Sequence, residues 1–116
     1  MATKVPHLWI VCAEPLTDRD ERVIVSITSD GAHISDRSCP VEAGDHAFIR
    51  HRSFALFRKS RVVTIADMRA WQKNGYIKAE AAAAAPLITR IRNAALVSPY
   101  TPRDVQQAIR DCTWSL

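Results

Sequence analysis

Glycine is scarce, since only Gly31, Gly44 and Gly75 occur among the 116 residues of the chain. A loop that cradles phosphates needs several closely spaced glycines, because its backbone must approach the phosphate oxygens. The sequence also offers no nucleophile elbow and no recognisable pair of catalytic carboxylates. These absences argue against an enzyme that acts on small molecules through one of those devices.

Cysteine occurs three times, at Cys12, Cys39 and Cys112, and no CxxC pair is present. The odd number and the wide spacing argue against a disulfide framework and a zinc ribbon. We expect small buried thiols in a reducing compartment. No apolar run approaches the ~20 residues of a membrane span, and the N-terminal run is too short for a signal peptide. We therefore expect a cytoplasmic protein without a membrane partner.

The composition is that of a soluble globular protein, with 47% hydrophobic and 24% charged residues. The length fits a single domain over residues 1–116. The formal net charge is +4, which favours a polyanionic partner such as RNA or another nucleic acid, or an acidic protein.

The first part of the chain, residues 7–65, reads as a β half with four or five short strands. Turn-rich loops separate apolar runs of strand length, as in small barrels. The predicted strands are Leu8–Ala13, Arg22–Thr28, an edge strand at Cys39–Glu42, His46–His51 and Arg61–Ile65, with a further apolar patch at Phe54–Phe57. In the second strand, Val23, Val25 and Ile27 should face one way, because side chains alternate along a strand.

Residues 66–113 form a helical half with two or three short helices. Thr64 is a predicted N-cap for a helix over 66–74, which Asn74-Gly75 ends. A second helix follows Pro86, and a third begins with Thr101 as N-cap and Pro102 at the first helical position. The sequence therefore predicts an α+β fold, either a small SH3-like β-barrel or a rolled antiparallel sheet followed by these helices.

The most unusual stretch is Gly44–Arg61, which holds two histidines and five cations and has no carboxylate after Asp45. Imidazole, guanidinium and aromatic groups together suit a phosphate-rich ligand. An amphipathic strand with a solvated outer face has the same pattern, so both interpretations stay open. Backbone contacts to nucleic acid are predicted for His51, Arg52, Arg58, Lys59 and Arg61. Stacking on bases needs an exposed ring, for which Phe57 and Tyr76 are the candidates, whereas Trp9 is expected in the core.

His46 and Arg50 are four residues apart, a spacing that puts them on one side of either a strand or a helix. A titrating imidazole beside a fixed cation can supply acid–base catalysis and phosphate stabilisation. RNA cleavage by the 2′-hydroxyl needs those roles and requires no metal or other cofactor. His51 lies on another side of a regular element, so a metal site would need Cys39 or Asp45 to be recruited by folding, and none is expected.

Three segments resemble the plasmid-maintenance toxins of the PemK/MazF/Kid type. HLWIV followed by EP is similar to that family's first strand, VIVSIT after the polar loop DRDER to its second, and FALFRKSRVVTIADM to its later strand pair and helix. The resemblance implies an SH3-like barrel that acts as a homodimeric, metal-independent endoribonuclease silenced by an antitoxin. It places Arg22, or Arg19, as the loop arginine, although Val23 stands where the family has proline. Thr28 or Ser29 would match the catalytic hydroxyl.

Two functions remain open from the sequence. In the first, a toxin-like barrel binds RNA and cleaves it without metal, with His46, Arg50 and Arg22 as the catalytic residues. In the second, a non-catalytic module uses its basic strand face and third helix to hold nucleic acid or a protein partner.

The first function predicts that the pure protein cuts mixed RNA in the presence of EDTA. Replacing His46 by alanine removes a general acid or base, which reduces the cleavage rate by about 10²- to 10⁴-fold. Gel analysis of the RNA measures the rate. Uncut RNA with both wild type and His46→Ala contradicts catalysis.

Overall fold

The computed structural model of the chain describes residues 8–13, 21–29, 31, 34–46, 49–75 and 83–111. Within these residues the chain forms four strands and three helices. They are β1 (Leu8–Ala13), β2 (Glu21–Ser29), β3 (Pro40–Val41), β4 (Ser53–Thr64), α1 (Ile65–Lys73), α2 (Ala85–Val97) and α3 (Arg103–Asp111). None of the described helices has the length and apolar character needed to cross a membrane.

The strands form one antiparallel sheet in the order β1-β2-β4-β3. The α+β class is therefore confirmed. Within the described part of the chain the sheet is open, with β1 and β3 at its edges, so a closed SH3-like barrel is not confirmed. The short edge strand at Pro40 agrees with the prediction, because proline has no N–H to donate to a second neighbour.

The two faces of β2 have different partners. Val23, Val25 and Ile27 point towards α2 and α3 and define the core face of the sheet, as the alternation predicts. Leu87 and Ile91 of α2 and Val105 and Ile109 of α3 pack into the same cluster. The opposite side, which carries Ile24, Ser26 and Thr28, is called the cleft face below.

Helix α1 covers Ile65–Lys73, one residue earlier at each end than the predicted 66–74, but its cap residues are the predicted ones. The backbone N–H of Asp67 donates to Thr64 Oγ1 at 3.0 Å, so Thr64 caps the helix. Asn74 is the C-cap, and Gly75 follows with φ +77°, a conformation that glycine adopts without steric cost. Met68 and Trp71 are half-buried.

The predicted start of α3 is wrong in detail. The helix begins at Arg103, and the carbonyl of Pro102 accepts from Gln106 N at 3.0 Å. Thr101 does not cap it, since Thr101 Oγ1 is buried with no hydrogen-bond partner among the described residues. The first-turn acid instead accepts locally, because Val105 N donates to Asp104 Oδ1 at 2.9 Å. Cys112 lies outside the described residues.

The predicted strand at His46–His51 is wrong for its described residues, which belong to neither a strand nor a helix. A turn at Ala43-Gly44 comes first, with Gly44 at φ +96° and Glu42 N donating to Asp45 Oδ2 at 2.8 Å. Ile49 N then donates to His46 O at 2.9 Å. This bond occupies two of the backbone groups that a strand over these residues would need.

Strand β4 runs through two segments that are predicted as separate, Phe54–Phe57 and Arg61–Ile65, except that Ile65 is the first residue of α1. Ser26 of β2 pairs with Leu56, and Ile24 pairs with Arg61, so Val25 alone faces the four β4 residues 57–60. This wide bulge keeps Phe57 fully buried in the core, while Arg58 and Lys59 are exposed. The hydroxyl of Ser60 donates to Phe57 O and closes the bulge.

The cap at Thr64 can be tested by mutation. Replacing Thr64 with alanine should lower the free energy of unfolding by about 1 kcal/mol, because the N–H of Asp67 loses its acceptor. Urea titration measures the change. Thr89 is exposed within α2, so Thr89→Ala should stay within about 0.5 kcal/mol of wild type. Equal losses in the two variants would contradict the capping role.

Candidate nucleic-acid interface

A cleft of about 210 Å³ lies on the cleft face of the sheet. Trp9 of β1, Ser26 and Thr28 of β2, and Leu56 of β4 line it. The loop over residues 34–36, the cations Arg58 and Lys59, and Tyr100 complete the lining. The cleft therefore combines two aromatic rings with two cations, and its walls come from five separate parts of the chain.

The bulge of β4 brings Arg58 and Lys59 to the cleft. In an uninterrupted strand, two consecutive residues would point to opposite faces of the sheet. Here the extra residues between Phe57 and Arg61 allow both cations to line the same cleft. Both side chains are exposed at the cleft.

Trp9, which is predicted to lie in the core, is half-buried and lies on the cleft face. It pairs with Ser26 across the β1–β2 ladder, which places its side chain on the same face as Ser26. The guanidinium of Arg61 lies 5.3 Å from the centre of the Trp9 ring, within the range of a cation–π interaction. This contact holds the indole at the edge of the cleft.

Asp36 links the loop at the cleft to the turn between α2 and α3. Its Oδ1 accepts from Ser38 N at 3.2 Å and from Ser38 Oγ at 2.6 Å. Its Oδ2 accepts from Ser98 Oγ at 2.8 Å, across 62 residues of sequence. Tyr100 N in turn donates to Ser98 Oγ at 3.2 Å. This Asp36–Ser98 clasp fixes Tyr100, which is 41% exposed, at the cleft.

Two further arginines pack on Phe54, which is almost fully buried at the Thr28 end of the cleft face. Arg37 lies 4.9 Å from the centre of the ring and Arg52 lies 5.6 Å from it. Arg52 also pairs with Glu42 at 3.3 Å, so part of its charge is compensated. Sequence reasoning identified Arg52 but missed Arg37, which precedes the acid-free stretch.

The predicted catalytic residues are not among those that line the cleft. His46 is only 7% exposed, whereas Arg50 is exposed. Their spacing would keep the two side chains on one side only of a regular strand or helix, and residues 46 and 49–51 form a loop instead. Arg22 is half-buried at the N-terminal end of β2, and its Nη1 donates to Glu21 O at 2.7 Å.

Other residues predicted for the site also lie outside the lining of the cleft or outside the described residues. His51 is exposed on the loop before β4. Phe57 is a wrong choice for stacking on bases, because it is fully buried on the core face. Tyr76 and Arg19 lie outside the described residues. Tyr100, the exposed ring that the structure shows, was missed because a turn tyrosine between prolines gives no periodic signal.

Thiol and metal chemistry is not apparent in the described part of the chain. Cys12 and Cys39 are buried, and burial raises the pKa of the Cys39 thiol despite the opposing charge of Arg90. A raised pKa keeps this thiol protonated and unreactive. The described residues contain no group of three or more histidine, cysteine or acidic side chains that could hold a metal ion.

Asp45 forms an ion pair with Arg90 of α2, with Oδ2 at 2.6 Å from Nη2. The hydrogen bond from Glu42 N and this ion pair hold the pKa of the Asp45 carboxyl below its ordinary value. The pair ties the Gly44 turn to α2, away from the residues that line the cleft.

The ion pair predicts a pH dependence of stability. Because the folded pKa of Asp45 is lowered, its contribution is complete above the unfolded pKa of about 4 and is lost as pH falls through the folded value. Asp45→Asn should therefore reduce the free energy of unfolding by about 0.2–1 kcal/mol at pH 7 and have little effect near pH 2. Denaturant titrations at both pH values measure this difference. An equal loss at both would contradict an ionic origin.

No protein-family model matches the chain, and neither does any curated protein or solved structure. The function must therefore be argued from the chain's own residues, and above all from the cleft.

Proposed function

We propose that the protein binds nucleic acid through the cleft and the cations beside it, acting as a binding module without a catalytic step of its own. The observation that carries the proposal is the shared position of Trp9, Tyr100, Arg58 and Lys59 around one cleft. Aromatic rings offer stacking surfaces to bases, and cations track the phosphates.

The charges at the cleft are available for phosphates. Arg58 and Lys59 are exposed and form no ion pair within the described part of the chain. Arg61 adds a third cation directly behind the Trp9 ring. Counter-ions condensed on a nucleic acid are released when such cations neutralise phosphates, which supplies much of the affinity.

The geometry favours binding over cleavage. A general acid or base must come within hydrogen-bond reach of the proton that it transfers. His46 is almost fully buried and is not a lining residue of the cleft, so it is badly placed to act on RNA bound there. The cleavage alternative therefore has no support from the cleft.

The finer parts of the proposal rest on the sequence. The resemblance implies RNA as the preferred nucleic acid, a homodimer and an acidic antitoxin-like partner. The strand pattern as well as the resemblance favours an SH3-like barrel, and the expected reduced thiols favour a cytoplasmic location. An acidic partner would compete with RNA for Arg58 and Lys59, since both ligands present negative charge.

Reversing the two cleft cations tests the proposal. Arg58→Glu combined with Lys59→Glu should weaken the binding of a labelled RNA strand at least about ten-fold at 0.1 M salt, because two phosphate contacts are lost. The slope of log affinity against log salt should become shallower by about 1.4, or 0.7 for each contact to a single strand. Fluorescence anisotropy over a salt series gives both values.

The matched control reverses two exposed cations of α1, Arg69 and Lys73, with the same change in net charge. This control should bind RNA within about two- to three-fold of wild type, since the net charge acts only through long-range attraction that salt screens. Equal losses in the two double variants would mean that the cleft has no special role. An absence of RNA and DNA binding by wild type would contradict the function itself.

A further inference from the structure

We propose that the cleft takes one unpaired base of a single strand, stacked on Trp9, with the edge of the base held by Ser26 and Asp36. This inference rests on the proposed nucleic-acid function and names the form of the ligand. A single-stranded ligand distinguishes the site from one that reads a duplex or merely follows phosphates.

The size of the cleft limits what can enter it. Pockets that enclose a whole drug-sized ligand or cofactor measure roughly 300–1,000 Å³, and this cleft measures about 210 Å³. A single planar ring is the part of a nucleic acid that suits a space of this size. A base in a duplex is stacked and paired, so it would first have to be flipped out at an energetic cost.

The indole of Trp9 has one side already occupied. Arg61, which covers it, stands opposite Ile24, whereas the cleft residues Ser26 and Thr28 lie further along β2 in the direction away from Arg61. In the proposed complex the base lies on the face of the ring opposite Arg61. A base that enters the cleft would complete a stack of guanidinium, indole and base, in which the cation also holds the indole in place.

The floor of the cleft has unused hydrogen-bonding capacity. Ser26 is only 3% exposed, yet its hydroxyl makes no hydrogen bond within the described part of the chain. The hydroxyl oxygen is not fully enclosed, so it keeps some access to the cleft that Ser26 lines. An unpaired hydroxyl in such a buried position would gain a hydrogen bond when a ligand enters.

Asp36 supplies the complementary acceptor. A carboxylate has about four acceptor positions, and the Asp36–Ser98 clasp uses three of them. The fourth can accept an N–H from a base, while the Ser26 hydroxyl donates to a neighbouring ring nitrogen or carbonyl. Each base presents a donor next to an acceptor on its pairing edge, so this pair of groups suits every base and should give only a weak sequence preference.

The phosphates of the same nucleotide would then meet Arg58 and Lys59. Both cations line the cleft together with Leu56, two residues before the first of them. Base and phosphate would thus be bound by adjacent parts of β4 and β2, which is the arrangement expected for a strand lying across the cleft face.

The first test compares four ligands of one length by fluorescence anisotropy at 0.1 M salt. They are a mixed-sequence RNA strand, the same sequence as DNA, the RNA duplex and an abasic strand with the same phosphates. The intact strands should bind at least about ten-fold more tightly than the duplex and the abasic strand, because only they can insert a base. Equal binding of the abasic strand or tighter binding of the duplex would overturn the inference while leaving the proposed function intact. Failure of all four to bind would contradict the proposed function.

The second test detects stacking directly. A strand that carries 2-aminopurine should change its fluorescence when wild-type protein binds, because stacking on an indole quenches the base. Trp9→Leu should weaken strand binding roughly 5- to 150-fold and abolish the fluorescence change, whereas Trp9→Phe, which keeps an aromatic face, should restore much of both. Trp71→Leu on α1 is the control and should leave both unchanged.

Ser26→Ala is a second variant that tests the inference even where Trp9→Leu does not fold. The serine substitution removes only an unpaired hydroxyl, so its stability should stay close to that of wild type. It should weaken binding of the intact strand about 2- to 10-fold, as expected for one lost hydrogen bond, with no effect on the abasic strand. Binding without a change in 2-aminopurine fluorescence, or equal effects of Ser26→Ala on the intact and abasic strands, would overturn base insertion.

Discussion

The pairing of β2 with β4, and the single place where it is interrupted, determines how the rest of the molecule is arranged. Val25 faces four residues of β4, so the strand must expand outward between Phe57 and Arg61. The Phe57 ring is fully buried in the core. The expansion therefore places the following two cations beside the cleft, where a regular strand would have separated them.

The same strand β2 serves both sides of the sheet. Its residues Val23, Val25 and Ile27 bind the two packed helices, and Ser26 and Thr28 form part of the floor of the cleft. A one-residue shift of register would exchange these two sets and expose the core residues to water. Because the packing of the helices fixes which side of β2 faces the core, it also fixes that Ser26 and Thr28 face the cleft.

Contacts between distant parts of the chain set the walls of the cleft. The Asp36–Ser98 clasp ties Tyr100 to the loop over residues 34–36, and Arg61 holds Trp9 from the other side. Neither contact needs a ligand. Groups that are already held in place lose less conformational entropy when they bind, which favours affinity for a small element such as one base.

Local patterns in the sequence predicted local structure well. An apolar run located β1, apolar alternation located β2, Pro40 marked the edge strand β3, and Thr64 as N-cap located the start of α1. The prediction failed at His46 and Arg50, where the described residues form a loop and Ile49 N donates to His46 O. It also failed at Thr101, whose hydroxyl caps no helix.

The cleft itself was largely beyond prediction for a physical reason. Arg58, Lys59 and Arg61 were identified by charge, but nothing in a list of cations shows that a bulge brings two of them to one cleft. Asp36 and Ser98 meet across 62 residues, and Trp9 and Tyr100 are brought to the same space only by the fold. Such pairings depend on tertiary packing, which single-residue preferences do not contain.

The most direct test of the central claim is an NMR titration of the ¹⁵N-labelled protein with a short single strand of RNA. The proposed function predicts that the largest shift changes fall on the Trp9 indole N–H and on the backbone amides of Ser26, Asp36, Lys59 and Tyr100, the residues around the cleft. Changes that cluster instead at His46 and Arg50, or along α3, with the Trp9 indole unmoved, would contradict it.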